Sequence, residues 1–337
     1  MKKTYKIALV GATGLVGSEL RKVLEKSSLS ITSLRGFASS NSVGKSFSFR
    51  DQKITIEPLE KSRLEGQDIL FFCAGSAISK EYIPLIRSKN ALIIDSSSAY
   101  RMHKDVPLVI PEINAHAIKN HSGLIASPNC TTTLMLMALA PLHKTFGIRR
   151  IVAATYQAAS GGGQKLINKL LQDTKNYLTS TQTEDPMPYG FNLYLHNSAL
   201  QTSRYTDEEI KMLTETHKIL EDDTIKVTAM CVRVPVLRAH SIALNVELGT
   251  SFSLSEIYEH LQKMPGLQLM EDFTSNRFPT PFDVTEKNDV YCGRIRKDTS
   301  AENHLELWVV GDQLLKGAAL NAVQIAESFA LLDKETF

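Results

Sequence analysis

The sequence predicts an α/β protein with a parallel sheet in its first third and a second, α+β domain after it. Short apolar runs alternate with helical stretches up to residue 95; past Cys130 the runs lengthen and the spacing changes. In order, the pattern gives a strand at 6–10, a helix over 14–26, strands at 31–37 and 68–72, a helix over 77–87 and a strand at 91–95. Beyond the cysteine come strands at 151–159, 226–232 and 241–248, separated by helices over 164–179, 207–220 and 255–264. A strand at 305–310 and an amphipathic stretch over 313–331 end the pattern, and periodicity leaves open which domain that stretch joins. Residues 179–205, polar and aromatic with Pro186 and Pro188, have no period and read as a long excursion over a site or another subunit.

A chain of 337 residues has ample length for two domains. Its 38 basic and 36 acidic side chains leave a net charge of +2, which excludes a broad electrostatic footprint for nucleic acid or a membrane surface and points to a small-molecule partner. No signal peptide is apparent at the start, and the longest apolar run, 134–142, is too short to cross a bilayer, so a cytoplasmic location is expected. The four cysteines, Cys73, Cys130, Cys231 and Cys292, show neither CxxC spacing nor paired histidines, which argues against disulfides and against a metal site. Three of them lie in or beside apolar strand-like runs and read as packing thiols.

Cys130 differs. Ser127-Pro128-Asn129 precedes it, Pro128 disfavours helix before it, Asn129 is a good N-cap, and 131–142 reads as a buried helix. A thiol in that first turn faces the positive end of the helix dipole and free N–H groups, which favours thiolate and can hold a negative oxygen on a carbonyl. On position alone an inert buried thiol fits as well.

At the other end, the first strand feeds Gly11-Ala12-Thr13-Gly14-Leu15-Val16-Gly17, a glycine turn opening a helix. Gly11 allows the turn, Gly14 lets a pyrophosphate approach, and Gly17 lets helix and strand pack closely, although the spacing is G-x-x-G-x-x-G rather than the regular fingerprint. After the second strand, where an NAD site would place an acid, Ser39, Ser40, Asn41, Ser42 and Lys45 offer hydroxyls, an amide and a cation, which suits the 2′-phosphate of NADP.

The second domain supplies partners for the thiol. Arg233-Val234-Pro235-Val236-Leu237-Arg238-Ala239-His240 puts two cations and an imidazole around a proline bend, with His240 the candidate base. Gln157-Ala158-Ala159-Ser160-Gly161-Gly162-Gly163 ends a strand with small residues that permit close ligand approach. Glu208 and Lys211 lie one helical turn apart and can address one zwitterionic or anionic ligand, or simply form a solvated ion pair.

Together these segments resemble the aspartate-β-semialdehyde dehydrogenase family over residues 6–327. The likeness rests on the glycine turn, Ser96-Ser97-Ser98-Ala99-Tyr100-Arg101-Met102, Val109-Ile110-Pro111-Glu112-Ile113-Asn114, the Cys130 and Gln157 segments, 231–240, Arg277-Phe278-Pro279-Thr280-Pro281, Gly293-Arg294-Ile295-Arg296 and 308–319. The resemblance implies a Rossmann-type, doubly wound NADP-binding domain formed by 1–129 with 313–337 and closed by the C-terminal helix. It also implies a central catalytic and dimerisation domain, 130–312, and a homodimer or homotetramer.

By the same resemblance, Cys130 is the nucleophile on aspartate 4-semialdehyde, His240 the acid/base, Gln157 the amide orienting the acyl group, and Asn129 a support. Arg101 and Lys211 bind inorganic phosphate, Arg233 the α-carboxylate and Glu208 the ammonium. Gly11, Thr13, Gly14, Leu15, Val16, Gly17, Ser39, Asn41, Ser42, Ser160, Gly161 and Gln313 bind the cofactor. The implied reaction is reversible NADPH-dependent reductive dephosphorylation of 4-aspartyl phosphate through a Cys130 thioester, in lysine (diaminopimelate), threonine and methionine biosynthesis. Asn41 stands where the family carries arginine for the 2′-phosphate, which opens the site to NAD; Gln313 replaces asparagine, and Leu195-His196 replaces proline-histidine. The rival readings are N-acetyl-γ-glutamyl-phosphate reductase, whose cysteine has a glycine and a tyrosine-proline around it, and a catalytically silent dinucleotide-binding paralogue.

Overall fold

The computed structural model describes residues 3–88, 90–180 and 185–335; residues 181–184 of the expected excursion lie outside them. Two compact units emerge, Met1–Asn129 with Ala318–Phe337, and Cys130–Gly317.

The first unit is built on seven strands: β1 (Tyr5–Val10), β2 (Ile31–Ala38), β3 (Ser46–Phe49), β4 (Gln52–Pro58), β5 (Ile69–Phe72), β6 (Leu92–Asp95) and β7 (Leu124–Ala126). They lie in the order β3-β4-β2-β1-β5-β6-β7. Every neighbouring pair is parallel except β3 with β4. The six parallel strands follow the Rossmann order, and their switch point falls between β1 and β5, where the carboxyl ends of the strands open a crevice. Ile69-Leu70-Phe71-Phe72 is buried along its whole length, as a strand covered on both faces must be. The helix Leu15–Lys26 buries Leu20 and Leu24 in the same core as Ala322, Val323, Ile325 and Ala326 of the helix Leu320–Glu335. The C-terminal helix therefore belongs to the first unit, which the sequence pattern alone left open.

The second unit carries β8 (Ile148–Gln157), β9 (Tyr194–Leu195), β10 (Lys226–Arg233), β11 (His240–Leu248), β12 (Leu267–Leu269), β13 (Val290–Lys297) and β14 (His304–Gly311), in the order β12-β13-β14-β11-β8-β10-β9. The pairs β8–β10 and β12–β13 are parallel; the rest are antiparallel. One face packs on the helix Cys130–Phe146, which is apolar all round and buried from Thr131 to Leu139. On the sheet, Val152, Ala154, Ala243, Phe278, Leu307 and Trp308 line an apolar cavity of about 550 Å³. The helix Asp207–Leu220 starts in a capping box between Thr206 and Glu209, which fixes the first turn that holds Glu208.

One expectation is corrected. The stretch over 313–331 is not a single helix: a π-helical turn, Leu315–Ala319, precedes Leu320–Glu335. Residues 313–317 accordingly stay with the second unit rather than joining the first. Gly317 explains the break, because a Cβ there would lie 2.8 Å from Cys130 Cβ, so the chain passes the start of the cysteine helix at backbone contact distance. No helix among the described residues is long and apolar enough to cross a membrane.

Candidate active site

Cys130 is the first residue of its 17-residue helix and is partly exposed, whereas Cys231 and Cys292 are buried and Cys73 is held against the Val10 carbonyl at 3.1 Å. Burial pushes the thiols of Cys73 and Cys231 up to about 12 and raises Cys292 as well, so all three stay protonated. The helix start places backbone N–H groups and the dipole's positive end beside the remaining sulfur.

Next to it, Thr131 Oγ1 accepts from Gln157 Nε2 at 2.7 Å. The second hydrogen of that amide goes to Glu208 Oε1 at 3.1 Å, which fixes the flip of Gln157 and turns its Oε1 away from both. Lys211 Nζ holds the other Glu208 oxygen at 3.2 Å. Glu208, 5 % exposed, is thus oriented by Gln157 and Lys211 through its carboxylate and by Ser198 through its backbone N–H. The ion pair with Lys211 that the spacing suggested is present, with Glu208 buried and Lys211 part-exposed.

Across the sheet, β8 and β10 end side by side, and Gln157 pairs with Arg233 in register. Arg233 donates from Nη1 to the Ala158 carbonyl at 3.3 Å and from Nη2 to His196 Nε2 at 2.7 Å. His240 is fully buried, and its Nδ1 accepts from the Ala158 N–H at 3.0 Å. That donor leaves the neutral ring's proton on Nε2. Burial, with Arg233 nearby, pushes His240 down to about 3. Nitrogen-15 spectra are therefore expected to show the Nε2–H tautomer unchanged from pH 5 to pH 9. Since the unfolded ring takes a proton near 6.5 and the folded one does not, stability is expected to fall as pH drops below 6.5; a ring titrating near neutrality would refute both.

Three buried polar atoms here have no hydrogen-bond partner among the described residues: Gln157 Oε1, Arg233 Nε and His240 Nε2. Orphaned buried groups are costly, about 1–3 kcal/mol each, and an orphan in a native structure calls for a partner such as a ligand or water. Gly161 shapes that place: a Cβ on it would lie 2.9 Å from His240 Cε1 and 3.1 Å from Arg233 Nη1. Gln313 braces the turn, donating to Ser160 Oγ and accepting from the Ala239 N–H at 2.9 Å. Ala239 sits at φ +70, a conformation that costs a non-glycine residue about 1–3 kcal/mol and is typical of functional sites. The constellation can hold a small molecule carrying both a carboxylate and an ammonium while a sulfur attacks its carbonyl.

The glycine turn and Arg101 lie in the first unit. Gly11 takes φ +92 with the Cys73 carbonyl 2.8 Å from where its Cβ would be, and Gly17 packs so tightly on the Gly11 carbonyl that a Cβ would overlap it at 2.2 Å. The helix from Leu15 has no side-chain cap and no acid in its first turn, which leaves Leu15, Val16 and Gly17 amides for an anion. A cavity of about 790 Å³ opens beside Gly11, Thr13 and Gly14, reaches Ser39, Ser40 and Val43 and ends at Glu81 and Tyr82, two residues the sequence pattern does not single out. Thr13 Oγ1 donates to Ser42 Oγ at 3.2 Å, while Asn41 is exposed in the short turn Ser40–Ser42. Arg35 is occupied by Glu57 and by the Arg63 carbonyl. Arg101 donates to the carbonyls of Ser96 and Ser127, three residues before the cysteine, and Asn129 is 7 % exposed.

The family described as "Semialdehyde dehydrogenase, NAD binding domain" matches residues 6–121, and "Semialdehyde dehydrogenase, dimerisation domain" matches 139–316. The chain is 46 % identical over 324 residues to the aspartate-semialdehyde dehydrogenase of Prochlorococcus marinus, covering 95 % of this chain and 94 % of that one. To the Synechocystis enzyme of the same name it is 46 % identical over 330 residues, 97 % and 98 % of the two chains. The crystal structure of aspartate semialdehyde dehydrogenase II complexed with ASA from Vibrio cholerae superposes with a TM-score of 0.92 at 35 % identity, covering 97 % of this chain and 98 % of that one. With the Rossmann-ordered sheet, the helix-start cysteine and full-length likeness together, the chain belongs to the aspartate-semialdehyde dehydrogenase family.

Proposed function

We propose that this chain interconverts L-aspartate 4-semialdehyde and 4-aspartyl phosphate, using NADP, through a Cys130 thioester. The observation that carries the reading is the set of unpartnered atoms, Gln157 Oε1, Arg233 Nε and His240 Nε2, on the same unit as a thiol at a helix start. A zwitterionic aldehyde satisfies such a set: its carboxylate on Arg233, its ammonium on Glu208 and Gln157, its carbonyl beside the sulfur.

In the oxidising direction the Cys130 thiolate adds to the carbonyl carbon. His240, with Nδ1 held by the Ala158 amide, meets the resulting oxygen with Nε2 as a hydrogen-bond donor. Negative charge on that oxygen is stabilised, and hydride departs from that form. Phosphate attacks the thioester carbonyl and the thiolate leaves, with Arg101 and Lys211 supplying positive charge and Asn129 supporting the turn before the cysteine.

The crevice of the first unit suits a nicotinamide dinucleotide: an uncapped helix start faces a glycine turn that a Cβ would block. When bound, that cofactor supplies the hydride acceptor. Gly11, Thr13, Gly14, Leu15, Val16 and Gly17 would cradle its phosphates, Ser39, Asn41 and Ser42 its ribose, and Ser160, Gly161 and Gln313 its reactive end. The hydroxyl-rich loop after β2 supports NADP, while Asn41 and an occupied Arg35 support acceptance of NAD. The apolar cavity on the second sheet supports pairing with a second copy, as a homodimer or homotetramer.

Initial rates test the reading. Purified protein is expected to form NADPH from aspartate 4-semialdehyde only with phosphate or arsenate present, faster with NADP than NAD, and not from N-acetylglutamate semialdehyde. A phosphate-independent rate, or preference for the acetylated aldehyde, would overturn it.

A further inference from the structure

Arg233 presents a physical problem that its own contacts pose. A guanidinium only 5 % exposed would ordinarily pair with a carboxylate, and a carboxylate partner would spend the charge that a substrate carboxylate needs. The structure supplies a neutral partner instead. His196, in the excursion after β9, accepts from Arg233 Nη2 at 2.7 Å. Since guanidinium nitrogens only donate, Nε2 must be the unprotonated one, and Nδ1–H then donates to Ser198 Oγ at 3.1 Å. The Ser198 amide also points at Nδ1 from 3.2 Å; the charged and nearer guanidinium decides the tautomer against it. Ser198 Oγ in turn accepts from the Glu208 N–H at 3.1 Å, in the first turn of the helix Asp207–Leu220. The backbone of His196 is pinned by its N–H on the Cys231 carbonyl at 2.8 Å, two residues before Arg233 on β10.

We propose that His196 is a positioning residue for Arg233 and, through Ser198, ties that guanidinium to the turn bearing Glu208, so that one hydrogen-bonded bridge sets both substrate anchors. The proposal rests on the reading of Arg233 as the grip on the substrate carboxylate. His196 keeps the guanidinium oriented without neutralising it. Burial and the adjacent Arg233 push the His196 imidazole down to about 4, with Lys211 acting in the same sense and Glu208 and Glu209 opposing, so it remains an acceptor at neutral pH.

The test compares aspartate 4-semialdehyde with 3-aminopropanal, which keeps the aldehyde and ammonium but lacks the carboxylate. Wild-type protein should prefer the carboxylated aldehyde in kcat/KM. In His196→Ala the KM for aspartate semialdehyde should rise about tenfold with kcat within about threefold, and the preference should shrink by a similar factor. His196→Gln, whose amide oxygen can accept from the guanidinium, should recover most of the preference. A preference that survives His196→Ala within twofold, or equal losses on both aldehydes, overturns the bridge while leaving the reaction intact. A wild-type enzyme that does not distinguish the two aldehydes overturns the Arg233 reading and the bridge with it.

Discussion

Cys130→Ser is expected to lower kcat/KM by more than about 10³-fold while leaving the melting temperature and the nucleotide dissociation constant close to those of the wild type. The side chain is nearly isosteric, and the sulfur's contact with Thr131 Oγ1, at 3.8 Å, is one a serine hydroxyl can also make. The chemistry does need the sulfur. A helix dipole contributes up to about 2 kcal/mol to an anion at its N-terminus, enough to favour a thiolate but far short of what ionises an alcohol. The other three cysteines cannot substitute: Cys231 and Cys292 are buried, Cys73 is held against the Val10 carbonyl, and desolvation raises all three thiols so that they stay protonated. Mass spectrometry of enzyme quenched with aldehyde and NADP but no phosphate should locate one acyl group, on Cys130. Activity within tenfold of the wild type in the serine variant, or an acyl group elsewhere, would end the thioester mechanism.

That cysteine was legible because its signals are local. Pro128 and Asn129 punctuate the chain, and the apolar run after them leaves no reading but a buried helix, observed as Cys130–Phe146. Leu92-Ile93-Ile94-Asp95, buried along its whole length, and the long strands Ile148–Gln157, Lys226–Arg233 and His240–Leu248 were similarly visible, whereas the three-residue Leu124–Ala126, though continuously buried, was too short to register. β3 and β4 were not visible either, because Ser46-Phe47-Ser48-Phe49 alternates over only four residues, buries just Phe49 and forms the sheet edge, and β4, between it and β2, buries only Ile56. The π-helical turn at Leu315–Ala319 also escapes periodicity, since it is imposed by the approach of Gly317 to Cys130 from a distant part of the sequence. Tertiary hydrogen bonds decide the site's finer chemistry in the same way. Nothing in the order Ala239-His240 tells which ring nitrogen the Ala158 amide will hold, and nothing in a period-free segment distinguishes His196 from its neighbours. Proline content and polarity located the excursion; only the fold shows that it touches Arg233.

Gly161→Ala is expected to cost activity by crowding the site. Gly161 is exposed and its backbone is not in the left-handed region, so a methyl group there adds no backbone strain; its cost in stability comes from the crowding, about 1–3 kcal/mol for an overpacked site. The same methyl would stand 2.9 Å from His240 Cε1, 3.0 Å from Nε2 and 3.1 Å from Arg233 Nη1, all closer than carbon approaches such atoms at rest. Neither neighbour can yield freely: His240 is fully buried and anchored through Nδ1, and Arg233 is held by Ala158 and His196. The methyl must therefore displace one of them by several tenths of an ångström or fill the gap that the unpartnered atoms face. Displacements on the order of 1 Å cost about 10²-fold in rate when they disturb a reacting geometry, so the smaller shift forced here is expected to lower kcat/KM by about tenfold or more, with the melting temperature falling as well. Full activity in Gly161→Ala would mean that substrate does not enter between His240 and Arg233, and the placement of the reaction there would have to be abandoned.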